Sequence, residues 1–475
     1  MGVRRQKASV ALALALAMVV VVGAQAGAQQ SLPAEAKDLV LVSHFEANDG
    51  GENMAIQQWP DGRRWLYYVH QAREHCLSVI DVTRPEKPEL VTYIPSPHPG
   101  TTHCNSLGLS ENNVLTVANW IPGAYAGDLG GKPSSRGMWV LDVSNPERIR
   151  SAKKLQDLAL SFFDLSGPES RGPHWLWFVD GEFAHMTTGT PDSKPTAEGD
   201  DQFYLIVDVR DPRNPREVAR WWMPGTQKGD ACLPACLPHG GHASRLHNVQ
   251  VYPERPDHAY LGYFGSGWMI MDISGLADVR AGRARSFTPK LVGRFSAGPS
   301  YPTNAHTLQP IFSRGLAWAS DEATQVPDGP KKCIDSPKML WLADIREATH
   351  PVIVGSAPFA ANAHELCKRP GRYGPFNLHP NLPLATSKKL ENTMVATYFG
   401  GGVRIFRLVD VPGLGNVPPR VVEIAHFIPE APPRNPGRTS EMGGVLVGDD
   451  GLIYANDRLT GGLYILRYTG KEPLD

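Results

Sequence analysis

The chain has 475 residues, and its 47 Lys and Arg against 48 Asp and Glu do not advertise a nucleic-acid or anionic-membrane partner. Its 47 Gly and 42 Pro exclude a helical bundle, because only a fold of many turns accommodates so many helix breakers.

Residues 1–28 stand apart from the rest. Arg4, Arg5 and Lys7 precede an apolar run from Ala8 to Val22, followed by A-Q-A-G-A. A basic, then apolar, then small-residue order is the layout of a cleaved export signal. The run is shorter than the ~20 residues that span a bilayer, so no transmembrane anchor is expected after the signal is removed. Losing three bases takes the formal charge from −1 to −4. The mature chain, 29–475, is therefore expected to be periplasmic or secreted, as a single domain.

An apolar run ending in Asp and a turn then recurs along the chain. It reads L-S-V-I-D-V-T-R-P (77–85), M-W-V-L-D-V-S-N-P (138–146), Y-L-I-V-D-V-R-D-P (204–212), W-M-I-M-D-I-S (268–274) and W-L-A-D-I-R (341–346). Two looser copies follow, V-R-I-F-R-L-V-D (403–410) and L-Y-I-L-R-Y (463–468). Short β-branched and aromatic runs bounded by Pro, Gly, Asn and Asp are strands. The Asp, as in Asp272, is expected to cap the turn after the strand. The fourth copy shows the frame best: strands over 247–253, 258–264, 267–274 and 290–295. Seven such units of four antiparallel strands predict an all-β, seven-bladed β-propeller, in which radial repetition leaves few exposed edges. The last unit has only three strand candidates before the chain ends. Its missing outer strand is predicted at 39–45, L-V-L-V-S-H-F, which is similar to the outer strands at 290–295 and 422–427.

The repeat resembles the LVIVD-repeat propellers, an exported bacterial family named for apolar runs ending in Asp; Y-L-I-V-D-V (204–209) carries that signature almost verbatim. A more distant likeness is to the selenium-binding-protein family, which includes copper-dependent methanethiol oxidases. It shares the four-strand frame, the Asp-Ile-Ser turn and inward histidines in kind. What that likeness implies is redox chemistry at a metal.

In the repeat frame His103, His174, His247 and His306 open the inner strands of blades two to five, where the other blades hold Met54, Phe376 and Glu441 or Met442. Entry loops to inner strands contain His98, His239, His242 and His364, and His70 and His75 flank a loop of blade one. Ten of the 16 histidines thus map to one face, with His185 expected within a second strand whose end reaches it. Three or four neutral imidazoles at one point suit a transition metal, copper first and iron second, with His103, His174, His247 and His306 as the ligand candidates. The competing reading is structural, with a repeated His bonding the neighbouring blade's backbone. His75, His239, His242, His364, Glu365 and Glu441 are candidates for the surrounding pocket, the two carboxylates as acid or base. H-E-L-C (364–367) is not the H-E-x-x-H of metalloproteases. No dinucleotide fingerprint or phosphate-cradling loop stands out, so no nucleotide cofactor is expected.

Six cysteines in an exported chain read as disulfides. Pairings 76–104, 232–236 and 333–367 are the leading set among those possible for Cys76, Cys104, Cys232, Cys236, Cys333 and Cys367; an alternative leaves Cys104 as a thiolate ligand. The long loops 121–136, 187–201 and 321–337 would rise over the histidine face as a lid or site wall. Two functions stand: a metal-dependent oxidoreductase acting on a small molecule, or a non-catalytic propeller that binds an extracytoplasmic protein partner.

Overall fold

The computed structural model describes residues 35–475 apart from 48–49, 72–73, 122–128, 169, 194–201, 231–244, 299–302, 325–337, 361–364, 367–368, 370, 414–416, 431–439 and 460–461. The export-signal segment 1–28 lies outside the described residues. Seven four-stranded antiparallel sheets form the molecule. Five are consecutive up-and-down units: 51–95, 103–164, 173–221, 245–295 and 305–356. Among the described residues, no helix is long and apolar enough to cross a membrane.

The predicted closure is present. Leu39–Phe45 pairs antiparallel with the strand Gly462–Tyr468 and completes blade seven. The segment just before it, Glu35–Lys37, pairs with 426–428 at the outer edge of blade six. Asp38, at φ 52°, turns the chain between the two blades. One N-terminal stretch therefore stitches the last two blades together. Blade six departs from the repeat: its innermost segment is irregular, with Phe376 N–H donating to Thr397 O (2.8 Å) and His379 N–H to Val395 O (2.8 Å). Pro375 and Pro380 bracket this stretch and lack the amide hydrogens a regular ladder needs.

The repeated Asp does what the motif predicts. Asp81, Asp142, Asp208, Asp272 and Asp344 each accept the backbone N–H of the residue two positions on, at 2.8 to 3.1 Å. The core fills the space between adjacent sheets, with Trp65, Trp268 and Trp318 among its largest fully buried side chains. Blades four and five meet closely: a Cβ on Gly262 would lie 1.9 Å from His306 O. Only glycine allows that approach.

A shared irregularity positions the site. In blades three, four and five the pairing of the inner strand with its neighbour skips one residue between 173 and 175, 246 and 248, and 305 and 307. The residues left out are His174, His247 and His306. Blades one, two and seven break register at the corresponding places, 51/54, 104/107 and 442/445. A β-bulge bends its strand and re-aims a side chain. Here it recurs near the upper rim of the axial channel, where the inner strands begin.

The lower rim is plugged. The connection at 380–390 leaves blade six and runs across the other blades. Pro380 O accepts from Tyr252 Oη (2.9 Å), Ala385 N–H donates to Glu111 Oε1 (2.8 Å), Thr386 Oγ1 donates to Ile56 O (2.8 Å) and Lys388 N–H donates to Val447 O (2.9 Å). Leu382 lines the channel interior. These contacts reach blades four, two, one and seven, so the connection spans the lower mouth.

Candidate metal centre

The bulge residues of three successive blades meet. The rings of His174 and His247 lie 4.3 Å apart and those of His247 and His306 4.2 Å apart, centroid to centroid. All three are buried, His306 completely. Glu322, just past the end of the second strand of blade five, brings a carboxylate to the same corner. Its Oε2 is 3.5 Å from His247 Nε2 and 3.8 Å from His306 Nε2.

The surrounding bonds leave these three atoms facing one another. His247 Nδ1–H donates to Asn248 Oδ1 (2.7 Å), because the Asn248 amide nitrogen is already engaged with Thr307 Oγ1 (2.9 Å). The neutral ring therefore keeps its lone pair on Nε2. His306 Nδ1 is held by Thr307 Oγ1 (2.7 Å). Arg372 Nη1 takes the other oxygen of Glu322, Oε1, at 3.1 Å. His306 Nε2 and Glu322 Oε2 are buried without any hydrogen bond. Such orphan atoms are costly unless a ligand or ion completes them.

Burial depresses all three imidazoles, with neighbouring positive charge adding to it: His306 falls to about 3, and His174 and His247 drop well below the ordinary value. They are neutral at physiological pH, the state in which imidazole ligates. Burial pushes the Glu322 carboxyl up, with Arg372 pulling the other way. The donor atoms of His247, His306 and Glu322 lie within 4.8 Å of one another, wider than the roughly 3–3.5 Å that bonds of about 2.0–2.2 Å impose on adjacent donors, so the three would draw inward to hold an ion.

A polar ring extends from this corner. Arg372 also binds Glu441, through its backbone N–H (2.9 Å) and Nε (3.3 Å). Across the channel Glu52, in the bulge of blade one, accepts a short bond from Gln71, whose amide also donates to Asn105 Oδ1 (2.9 Å). Burial first, then the Glu322 charge, raises Glu52 to about 8.

The predicted site residues separate into groups. His174, His247 and His306 come together; His103 does not. Trp120 stands between His103 and His174, 6.1 Å from one ring and 4.8 Å from the other. His103 pairs with Trp120 at the start of its strand, and the skipped positions in blade two are 105 and 106. Asn105, not His103, occupies the bulge there. Glu441 joins the polar ring through Arg372, whereas Glu365 is exposed on a short helical turn. His75 packs against Tyr93 at 4.7 Å and His70 at 5.8 Å, in blade one. His185 is not at this rim: it pairs with Trp177 near the end of the inner strand, bonds Tyr204 Oη (2.8 Å), and lines a pocket on the opposite side. His239, His242 and His364 lie outside the described residues, as do Cys232, Cys236, Cys333 and Cys367. Cys76 and Cys104 form the expected disulfide, which takes Cys104 out of any ligand set.

Sequence reasoning missed Glu52, Glu322 and Arg372. For Glu322 a signal existed in S-D-E (320–322), at the head of a long loop already assigned to this rim.

Together these features define a seven-bladed β-propeller with a buried His-His-Glu corner at the upper rim of its axial channel. No protein-family profile matches the chain, and no curated protein matches it in sequence. Among solved structures, the WD40 β-propeller domain of Doa1 is similar at a TM-score of 0.49 and 9% identity, over 91% of this chain and 97% of that one. The β-propeller domain of Myceliophteria thermophila Cps50 (Swd1) is similar at 0.48 and 10%, over 91% of this chain and all of that one.

Proposed function

We propose that the protein is an exported metal-dependent oxidoreductase acting on a small molecule. His247 Nε2, His306 Nε2 and Glu322 Oε2 hold its ion, and His174 stands beside them. The observation that carries this reading is the convergence of two neutral imidazoles on a buried carboxylate oxygen that no protein group satisfies. Imidazoles alone would place copper ahead of iron. A carboxylate as third donor reverses that order, since two histidines and one carboxylate with open positions are the donor set of non-haem Fe(II). Bound there, such an ion supplies one-electron and oxygen chemistry. Asn248 and Thr307 orient the imidazoles, Arg372 orients Glu322, and the plugged lower rim makes the upper mouth the route of entry.

The redox direction and the family reading rest on the LVIVD-type repeats and the distant selenium-binding-protein likeness. The export layout of 1–28 and the Cys76–Cys104 disulfide support a periplasmic or secreted location. A protein-binding propeller is the second reading, favoured by Leu291 and Val352, which stand exposed on the outer strands of neighbouring blades.

Elemental analysis of the purified mature protein decides between them. One equivalent of iron or copper, lost in a His247→Ala, His306→Ala double variant that keeps its circular dichroism, is the expected result. Protein that stays metal-free after anaerobic reconstitution with Fe(II) and with Cu(I) leaves only the binder.

A further inference from the structure

Arg458 occupies in blade seven the rim position that Glu322 occupies in blade five. Both follow the second strand directly, and each N–H closes the same kind of bond: Glu322 N–H to Asn304 O (3.0 Å) and Arg458 N–H to Glu441 O (2.9 Å). The guanidinium is half-buried, and among the described residues its only hydrogen-bond acceptor is neutral. Nε and Nη2 both donate to Gln71 Oε1, at 2.9 and 2.5 Å. Nη1 is enclosed and makes no hydrogen bond.

The contrast with Arg372 is direct. Arg372 sits 3.9 Å above the Phe399 ring and is neutralised by both Glu322 and Glu441. Arg458 sits 5.0 Å from Phe376 and 5.6 Å from Phe399 with no carboxylate in its ion-pairing shell among the described residues. A guanidinium withdrawn from water without a counter-charge is costly, and its planar fork matches a carboxylate in two parallel bonds. Phe376 lies between it and the metal corner, with the His306 ring 4.8 Å away.

We propose that Arg458 is an anion-binding residue at this rim and that the substrate is a small organic carboxylate held there by its anion. This rests on the pocket being the reaction site proposed above, but the anion subsite is testable without metal.

The test is calorimetric titration of chelator-treated mature protein with benzoate and with benzamide, which share a shape and differ in charge. Wild type is expected to bind benzoate at least tenfold more tightly than benzamide. Arg458→Gln should erase that ratio, Arg458→Lys should restore part of it, and the His247→Ala, His306→Ala double variant should keep it. Equal affinity for the two probes in wild type, or a benzoate preference that survives Arg458→Gln, overturns the proposal. Should Arg458→Gln not fold, the Lys variant carries the test: an unchanged ratio with a lowered Tm would make Arg458 structural. Failure of the metal reading appears separately, as protein that takes up no ion yet still prefers benzoate through Arg458.

Discussion

His379 and the pair His247 and His306 are all buried inner-strand histidines, yet they lie at opposite rims and do opposite things. His379, at the lower rim, is satisfied on both sides: Nδ1 accepts Val447 N–H (3.0 Å) and Nε2–H donates to Lys388 O (2.6 Å). It fastens the plug to blade seven. His247 and His306 are satisfied on Nδ1 alone, and their Nε2 atoms converge on a carboxylate. Burial depresses His379 and His306 alike, to about 4 and about 3, so titration behaviour does not distinguish them. What distinguishes them is whether the second nitrogen has a protein partner. A structural imidazole uses both nitrogens, whereas a candidate ligand leaves one facing a shared space.

The comparison can be broken from either side. His379→Ala leaves Val447 N–H and Lys388 O unpaired in the interior and should cost about 2–5 kcal/mol of stability in urea unfolding, with metal content unchanged. Glu322→Ala is the reverse case. It should weaken metal binding more than about 100-fold in a chelator competition, beyond the cost of losing an outer-shell partner, with some loss of Tm from the broken Arg372 pair.

The pH dependence gives an effect of intermediate size. His379 is depressed to about 4 in the folded protein against 6.5 unfolded, so the unfolded chain takes up the proton first as pH falls. Its contribution is complete above pH 6.5 and declines down to about pH 4, amounting to about 2–3 kcal/mol between urea midpoints at pH 7.5 and 4.5. In His379→Ala that share of the acid sensitivity should vanish; an unchanged slope would assign it to the other buried histidines. The smallest effect belongs to Asn248→Leu, which frees the His247 tautomer without removing a ligand. It should lower metal affinity about tenfold, the lower end for loss of an outer-shell bond.

The disulfide and the closing strand were legible because each completes a visible deficit: cysteines behind an export-like leader are expected to pair, and a three-strand final unit needs a fourth strand. The histidine face was legible in part. His174, His247 and His306 could be aligned by repeat, but so could His103, which the structure sets behind Trp120. The error is one of register. A bulge adds a residue without leaving a mark in the apolar pattern, and in blade two it falls at Asn105 and Ser106.

What the amino-acid sequence alone determined is the architecture: five Asp-terminated strands and two looser copies, their turns, and the N-terminal segment that completes the ring. These follow from alternation and local turn chemistry, which neighbouring residues settle among themselves. Only the tertiary structure decided the site. Glu322, Arg372 and Arg458 come from loops of three different blades, and their convergence depends on the curvature of the ring and on bulges that turn side chains toward its axis. Which imidazole nitrogen remains without a partner is likewise a property of packing, and on that atom the chemistry proposed here depends.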